Sequence, residues 1–174
     1  MNTDMFKEAM SHLASGVCMV TIPHESLFMG VTVSSVISVS LDPCLILFTL
    51  KREAAVFNIF AKTSWFSVHI LAQDQQELSR KGTQRGGYLF SDKMMASHLL
   101  EKALSSLRCE KYNQISAGDH DLILGKVTTI KQGMDKPPLV YCRRSYQSLN
   151  IPCLDNRMDE KILPPMPNFL QNPN

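Results

Sequence analysis

Four hydroxyl side chains, Thr32, Ser34, Ser38 and Ser40, fall on alternate positions of segment 28–41, with Ser35 beside them. In an extended chain successive side chains point to opposite faces, so these hydroxyls line up as one row of donors and acceptors. Such a row can hold a phosphate, a ribityl chain or the polar edge of a ring, and it can equally be the solvated side of a strand. Two basic pairs, Lys51-Arg52 and Arg80-Lys81, stand where a strand and a helix end. There a cation can clamp a phosphate or simply complement a helix dipole. His120 lies in Gly118-Asp119-His120-Asp121, a polar turn before a strand, where an imidazole can donate to a dinucleotide, relay a proton or merely be solvated. His69 sits inside a strand, where a core or cofactor-facing role fits as well as a ligand role.

Other chemistries lack their residues. His12, His24 and His98 show no ligand spacing with another His, Cys or carboxylate, so no metal site is expected. The five cysteines, Cys18, Cys44, Cys109, Cys142 and Cys153, are scattered singly and are expected to be reduced and mostly buried. Gly-x-Gly-x-x-Gly, Walker-type and Gly-x-Ser-x-Gly patterns do not occur. A formal charge of +2, without runs of like charge, gives no footprint for nucleic acid. No stretch reaches the roughly 20 apolar residues of a membrane span and no leader pattern opens the chain, so a cytoplasmic location is expected.

The elements that must position these residues follow from the spacing of apolar side chains. Segment 3–13 places Met5, Phe6, Ala9, Met10 and Leu13 on one helical stripe, with Thr3 or Asp4 as N-cap. Residues 17–22 read as a strand stopped by Pro23, turning at His24-Glu25-Ser26 into a second strand to form a hairpin. Segment 28–41 alternates throughout, with Val31, Val33, Ile37, Val39 and Leu41 opposite the hydroxyls, and predicts one long strand, bent or bulged. After Asp42-Pro43, the apolar run 45–50 suits a strand buried on both faces. A helix over 54–61, a strand over 65–71 and a helix over 75–81 capped by Asp74 come next. Segment 93–107 has helical spacing, 122–130 and 139–142 read as strands, and the proline-rich 151–174 is expected to lack regular structure. At 174 residues and 44% apolar content, one domain over 1–150 followed by that tail is the simplest organisation. Six or so strands with short helices between them argue for a small barrel.

Three segments, in this order and spacing, resemble the flavin reductase-like domain family, the FMN-binding split barrel of two-component flavin monooxygenases. They are Phe6 to Met10 with Ser15 to Thr21; Gly30-Val31-Thr32-Val33-Ser34-Ser35-Val36 with Ser38 to Pro43; and Gly118-Asp119-His120 with 122–127, Pro138-Leu139-Val140-Tyr141 and Tyr146. The resemblance covers roughly 5–149. It implies a mainly β, Greek-key-like split barrel with short flanking α-helices, and a strand near 104–112 where the spacing looks helical. It implies that Thr32, Val33, Ser34 and Ser35 line the flavin, that Thr49, Lys51, Arg52, Arg80 and Lys81 face its phosphate side, and that His120 faces the nicotinamide. Gly82 is carried as a further cofactor-binding position, although the family usually has an aromatic there. Glu53-Ala54-Ala55-Val56 likewise departs from the small hydroxyl residues common after the Arg52 position.

The activity so implied is hydride transfer from NADH or NADPH to FMN or FAD, with reduced flavin supplied to a separate oxygenase, and a homodimeric assembly. Two rivals share the same residues: a non-enzymatic flavin carrier or sensor, and an oxidoreductase that retains its FMN.

Overall fold

The computed structural model describes residues 2–149; the expected tail 151–174 and Cys153 lie outside the described residues. Helix α1 (Thr3–Ser11) is capped by Asn2, whose Oδ1 accepts from the Asp4 N–H at 2.9 Å, one residue before the expected cap. Strand β1 (Ser15–Gly16) leads to β2 (Cys18–His24) and β3 (Leu27–Val33), the expected hairpin. Pro23 does not stop β2. It lies beyond the Cys18–Thr21 stretch that pairs on the strand's other side, so its missing N–H costs that ladder nothing.

The long strand expected over 28–41 is two. After β3 the chain breaks at 34–36 and resumes as β4 (Ile37–Leu41), which pairs with β5 (Cys44–Lys51). The hydroxyl row is divided accordingly: Thr32 ends β3, Ser34 and Ser35 occupy the break, and Ser38 and Ser40 belong to β4. Ile37, Val39 and Leu41, expected in the core, are exposed.

Helix α2 (Phe57–Ala61) begins three residues later than expected, and strand β6 (Trp65–Ile70) ends one residue earlier. Asp74 does not cap a helix; it lies within a 3-10 turn, Gln73–Gln75, whose Ala72 N–H is satisfied by Gln75 Oε1 at 2.8 Å. Helix α3 (Gln76–Gly82), strand β7 (Tyr88–Phe90) and a one-turn α4 (Asp92–Met94) come next, α4 continuing as a π-helical turn over Met95–Leu100. The helical spacing of 93–107 therefore misleads after Leu100, where β8 (Ser105–Ala117) begins, in the region the resemblance implied. Strand β9 (His120–Gln132) and the small strands β10 (Val140–Cys142) and β11 (Ser145–Gln147) complete the described fold. Strands β1, β7 and β11 escape the periodicity because two or three residues carry no period.

Eight strands form one antiparallel sheet in the order β4-β5-β9-β8-β6-β2-β3-β7, and β1-β10-β11 form a second. Five strands stand between β4 and β3, yet residues 34–36 alone connect them. Flat, the six inter-strand steps would span about 29 Å, whereas the four Cα steps of the connection reach at most about 14 Å. The sheet must curl until its ends nearly meet. Among the described residues no ladder closes the curl, so the sheet stays open. At this seam Ser35 Oγ accepts from both the N–H and the hydroxyl of Thr49 on β5, each at 3.0 Å.

Inside the curl Phe48, Phe60 and Phe66 pack with centroid separations of 5.4–5.9 Å, edge-on or tilted, among Val20, Ile22, Leu50 and Ile123. A second apolar cluster, including Met19, Leu71, Phe90, Leu99 and Leu139, seats α3 and the π-helical turn against the outside of the sheet. Between β2, β6 and β8 the fully buried His69 shares hydrogen bonds with Thr21 Oγ1 (3.0 Å) and Ser106 Oγ (2.8 Å). Cys18 and Cys109 are buried as expected, with burial pushing both thiols up to about 12; Cys142 is half-buried and Cys44 exposed, a correction for the latter.

Candidate functional site

Helix α3 docks on the end of β3 through one specific contact. The Thr32 hydroxyl donates to the Ser79 carbonyl at 2.7 Å, and Gly82 brings the helix end so close that a Cβ there would collide with Thr32 Oγ1 and Met19. On the other side stands the β10–β11 hairpin. Its two-residue turn, Arg143-Arg144, has φ of 49° and 59°, the left-handed pair that Asn-Gly normally supplies. Two contacts with α1 hold this strained turn: Arg143 N–H donates to Ser11 O at 2.6 Å, and Arg144 Nη2 lies 3.1 Å from Glu8 Oε2. From the hairpin, Tyr146 shares a 2.8 Å hydrogen bond with Ser79 Oγ, and the Arg80 guanidinium lies 5.4 Å from its ring centroid.

These elements enclose two adjoining clefts that share Thr32 and Thr83. One, of about 580 Å³, is lined by Val17, Val33, Ser34, Arg80, Arg144 and Tyr146 among others, and no carboxylate lines it. The second, of about 630 Å³, is lined by Val31, Lys51, Glu53, Gly82, Gln84 and Arg85 among others. Together they form a composite groove with apolar and hydroxyl walls in the first cleft and cations in both, Arg80 and Arg144 in the first and Lys51 and Arg85 in the second. Its dimensions suit a planar heterocycle carrying a phosphorylated side chain.

Of the residues singled out from the sequence, Thr32, Val33, Ser34, Lys51, Arg80 and Gly82 line this groove. Ser35 lines a smaller recess beside α1 and is held by Thr49, which stands behind it. Arg52 is turned elsewhere: its Nε lies 2.7 Å from Oδ1 of the buried Asp121, whose Oδ2 accepts from Gln114 at 2.7 Å. Those two donors, Gln114 first, hold the Asp121 carboxyl below the usual carboxylate range. Lys81 pairs with Glu77 at 3.1 Å and lies 5.5 Å from the Tyr88 ring centroid, outside the lining of both clefts. His120 lies beyond the groove lining but opposite Lys51 in the β5–β9 register, with Nδ1 2.8 Å from Asp119 Oδ1. That hydrogen bond holds the Asp119 carboxyl low.

Sequence reasoning assigned no role to Ser79, Thr83, Arg85, Arg144 or Tyr146. Only Tyr146 carried a signal, its place after Tyr141 in the third segment of the resemblance. Among the described residues no group of three or more His, Cys, Asp or Glu side chains could hold a metal ion, and no helix is long and apolar enough to cross a membrane.

Comparison with known proteins places the chain among its relatives. The chain is 34% identical over 151 residues, 82% of its length and 86% of the relative's, to the NADH:riboflavin 5'-phosphate oxidoreductase of Streptomyces pristinaespiralis. It is 29% identical over 148 residues, 84% of this chain and 96% of the relative, to the reductase component of 4-hydroxyphenylacetate 3-monooxygenase from Thermus thermophilus. The solved structure of the flavin reductase PheA2 superimposes with a TM-score of 0.74 at 29% identity, covering 87% of this chain and all of that one. With residues 10–150 matching the family's defining pattern, the chain belongs to the flavin reductase like domain family.

Proposed function

We propose that the protein is an NAD(P)H-dependent flavin reductase that passes a hydride to FMN or FAD and supplies the reduced flavin to a separate oxygenase. The observation that carries this reading is the composite groove, with hydroxyls and apolar walls at one end and Lys51 and Arg85 at the other. The relatives' activities support it.

When bound, the flavin supplies the electron-accepting ring and the nicotinamide supplies the hydride. The chain's own residues bind and orient. Thr32, Val33 and Ser34 form the ring-side wall, Ser34 offering a free hydroxyl edge to a polar ring atom. Thr32 is committed to Ser79 and keeps α3 in place. Lys51, Arg85 and the Arg80 guanidinium supply positive charge for phosphate groups. Thr49 acts through Ser35, and Arg52 through Asp121, as positioning groups rather than ligands. His120, at the groove's margin, orients the nicotinamide and is an aid to the reaction rather than a necessity.

The same reading makes the curled, open sheet a split barrel and 1–150 a single flavin-binding domain. A reaction consuming NADH or NADPH suits a cytoplasmic home. It also makes the protein a homodimer. Met5, Phe6 and Met10 of α1, Leu13 just beyond it, and Ile37, Val39 and Leu41 of β4 are 47–86% exposed, apolar faces that a second copy would cover beside the groove. Light scattering should give twice the chain mass at micromolar concentration; a monomer with and without flavin would count against the dimer.

The activity test is NADH and NADPH oxidation with and without added FMN, FAD or riboflavin. Turnover that requires added flavin is expected, and none with any combination overturns the proposal. In the same assay the two serines separate. Losing a hydroxyl–cofactor hydrogen bond worth about 0.5–1.5 kcal/mol makes Ser34→Ala bind flavin roughly two- to thirteenfold more weakly. Ser35→Ala instead deprives the Thr49 N–H of its acceptor and lowers thermal stability first.

A further inference from the structure

We infer that Glu53 is a built-in competitor for the flavin phosphate, weakening the protein's hold on phosphorylated flavins so that they exchange. The inference rests on the flavin-binding reading above. Lys51 and Glu53 both line the 630 Å³ cleft, and their charged groups meet at 2.8 Å. Glu53 is the one carboxylate in a lining that otherwise offers Lys51, Arg85, Thr83 and Gln84. It occupies the ammonium that an incoming phosphate would use, and it holds Lys51 above its ordinary pKa.

The side chains are well hydrated, with Lys51 50% and Glu53 81% exposed, so the pair is weak and readily displaced. Displacement nevertheless leaves the Glu53 charge close to a phosphate of nearly two negative charges. Two nearby cations are engaged elsewhere, Arg52 with Asp121 and Lys81 with Glu77, so Lys51 and Arg85 are the cations this cleft lining offers a phosphate. Asp119, which also acts on Lys51, lies beyond the cleft lining and is tied to His120. The consequence is selective. A flavin without phosphate does not meet Glu53, whereas FMN must replace it on Lys51. Such a device suits a protein whose flavin arrives oxidised and leaves reduced.

The test is a fluorescence titration of FMN and of riboflavin against the full chain, Glu53→Gln, Lys51→Met and the double variant. Glu53→Gln removes one unit of like charge and frees Lys51, so FMN should bind roughly three- to tenfold more tightly at low salt, with riboflavin unchanged. The gain should shrink as salt rises and be smaller in the Lys51→Met background, where only the like-charge repulsion is left to relieve. Unchanged or weaker FMN binding, or an equal change for riboflavin, overturns the role of Glu53 while leaving the flavin site standing. If neither flavin binds to any form, the underlying site assignment falls as well. Since Glu53 is an exposed side chain in a turn, coincident melting curves of the variants show that folding is not the cause.

Discussion

Replacing Gly82 by valine is expected to abolish measurable flavin binding and to lower the melting temperature by about 2–12 °C. A Cβ at this position would collide with Thr32 Oγ1 and approach Met19 Cε at 2.7 Å and its sulfur at 3.0 Å. Thr32 is fixed by its bond to the Ser79 carbonyl, and Met19 is fully buried beneath, so neither neighbour can yield cheaply. Overpacking of this kind costs about 1–3 kcal/mol, and in a chain of this size each kcal/mol moves the melting point by about 2–4 °C. Binding suffers more than stability because Thr32 is the wall shared by both clefts. Gly86→Ala is the matched control, since nothing lies within 4 Å of a Cβ there. Wild-type affinity and melting in Gly82→Val would show that α3 can move off β3 without consequence.

Acid should destabilise the fold well before its carboxylates titrate, and His69 is the reason. Complete burial lowers its pKa to about 3, from an ordinary 6.5. The folded protein thus keeps the ring neutral while the unfolded chain takes up a proton below pH 6.5. The associated stability is fully present above pH 6.5 and is lost as pH falls from 6.5 toward 3. The slope is roughly 1.4 kcal/mol per pH unit for one proton. Denaturant midpoints at pH 7, 6 and 5 should fall accordingly. In His69→Gln, whose amide can still meet Thr21 and Ser106, the fall over this window should flatten even though stability at pH 7 is reduced. An unchanged slope would place the acid sensitivity elsewhere.

The central strands were legible because their burial writes itself into composition: Leu45 to Leu50 is apolar except for Thr49, and β5 is buried along most of that run. The division of 28–41 was not, because the alternation of hydroxyls passes unchanged through the break. What ends β3 is the need of β4 to pair at the far end of the sheet, a demand that no local period records. Residues 93–107 show the opposite failure, with Leu99, Leu100 and Ala103 keeping a helical spacing that runs on into β8. At the site, Thr32, Ser34, Lys51 and Arg80 were found by residue type and by resemblance. Ser79, Tyr146 and Arg144 were missed because distant segments of the chain bring them to the groove. Nor could local sequence say that Arg52 is bound by Asp121, 69 positions away.

Residues 34–36 also dictate when in folding the groove can appear. They join strands that the sheet separates by five others, so they reach their final positions only after those strands have paired. The β2–β3 and β8–β9 hairpins can form from local contacts, and a chain in that condition already holds Thr32 and His120 in strands. It still has no pocket. Closing long loops before any contact repays them slows folding, so refolding in milliseconds to seconds is the scale to expect for this topology. Recovery of flavin binding should then coincide with the last kinetic phase rather than with the first gain of strand signal. Flavin present during refolding would leave the early steps untouched and act only on the finished sheet, where it slows reopening of the seam.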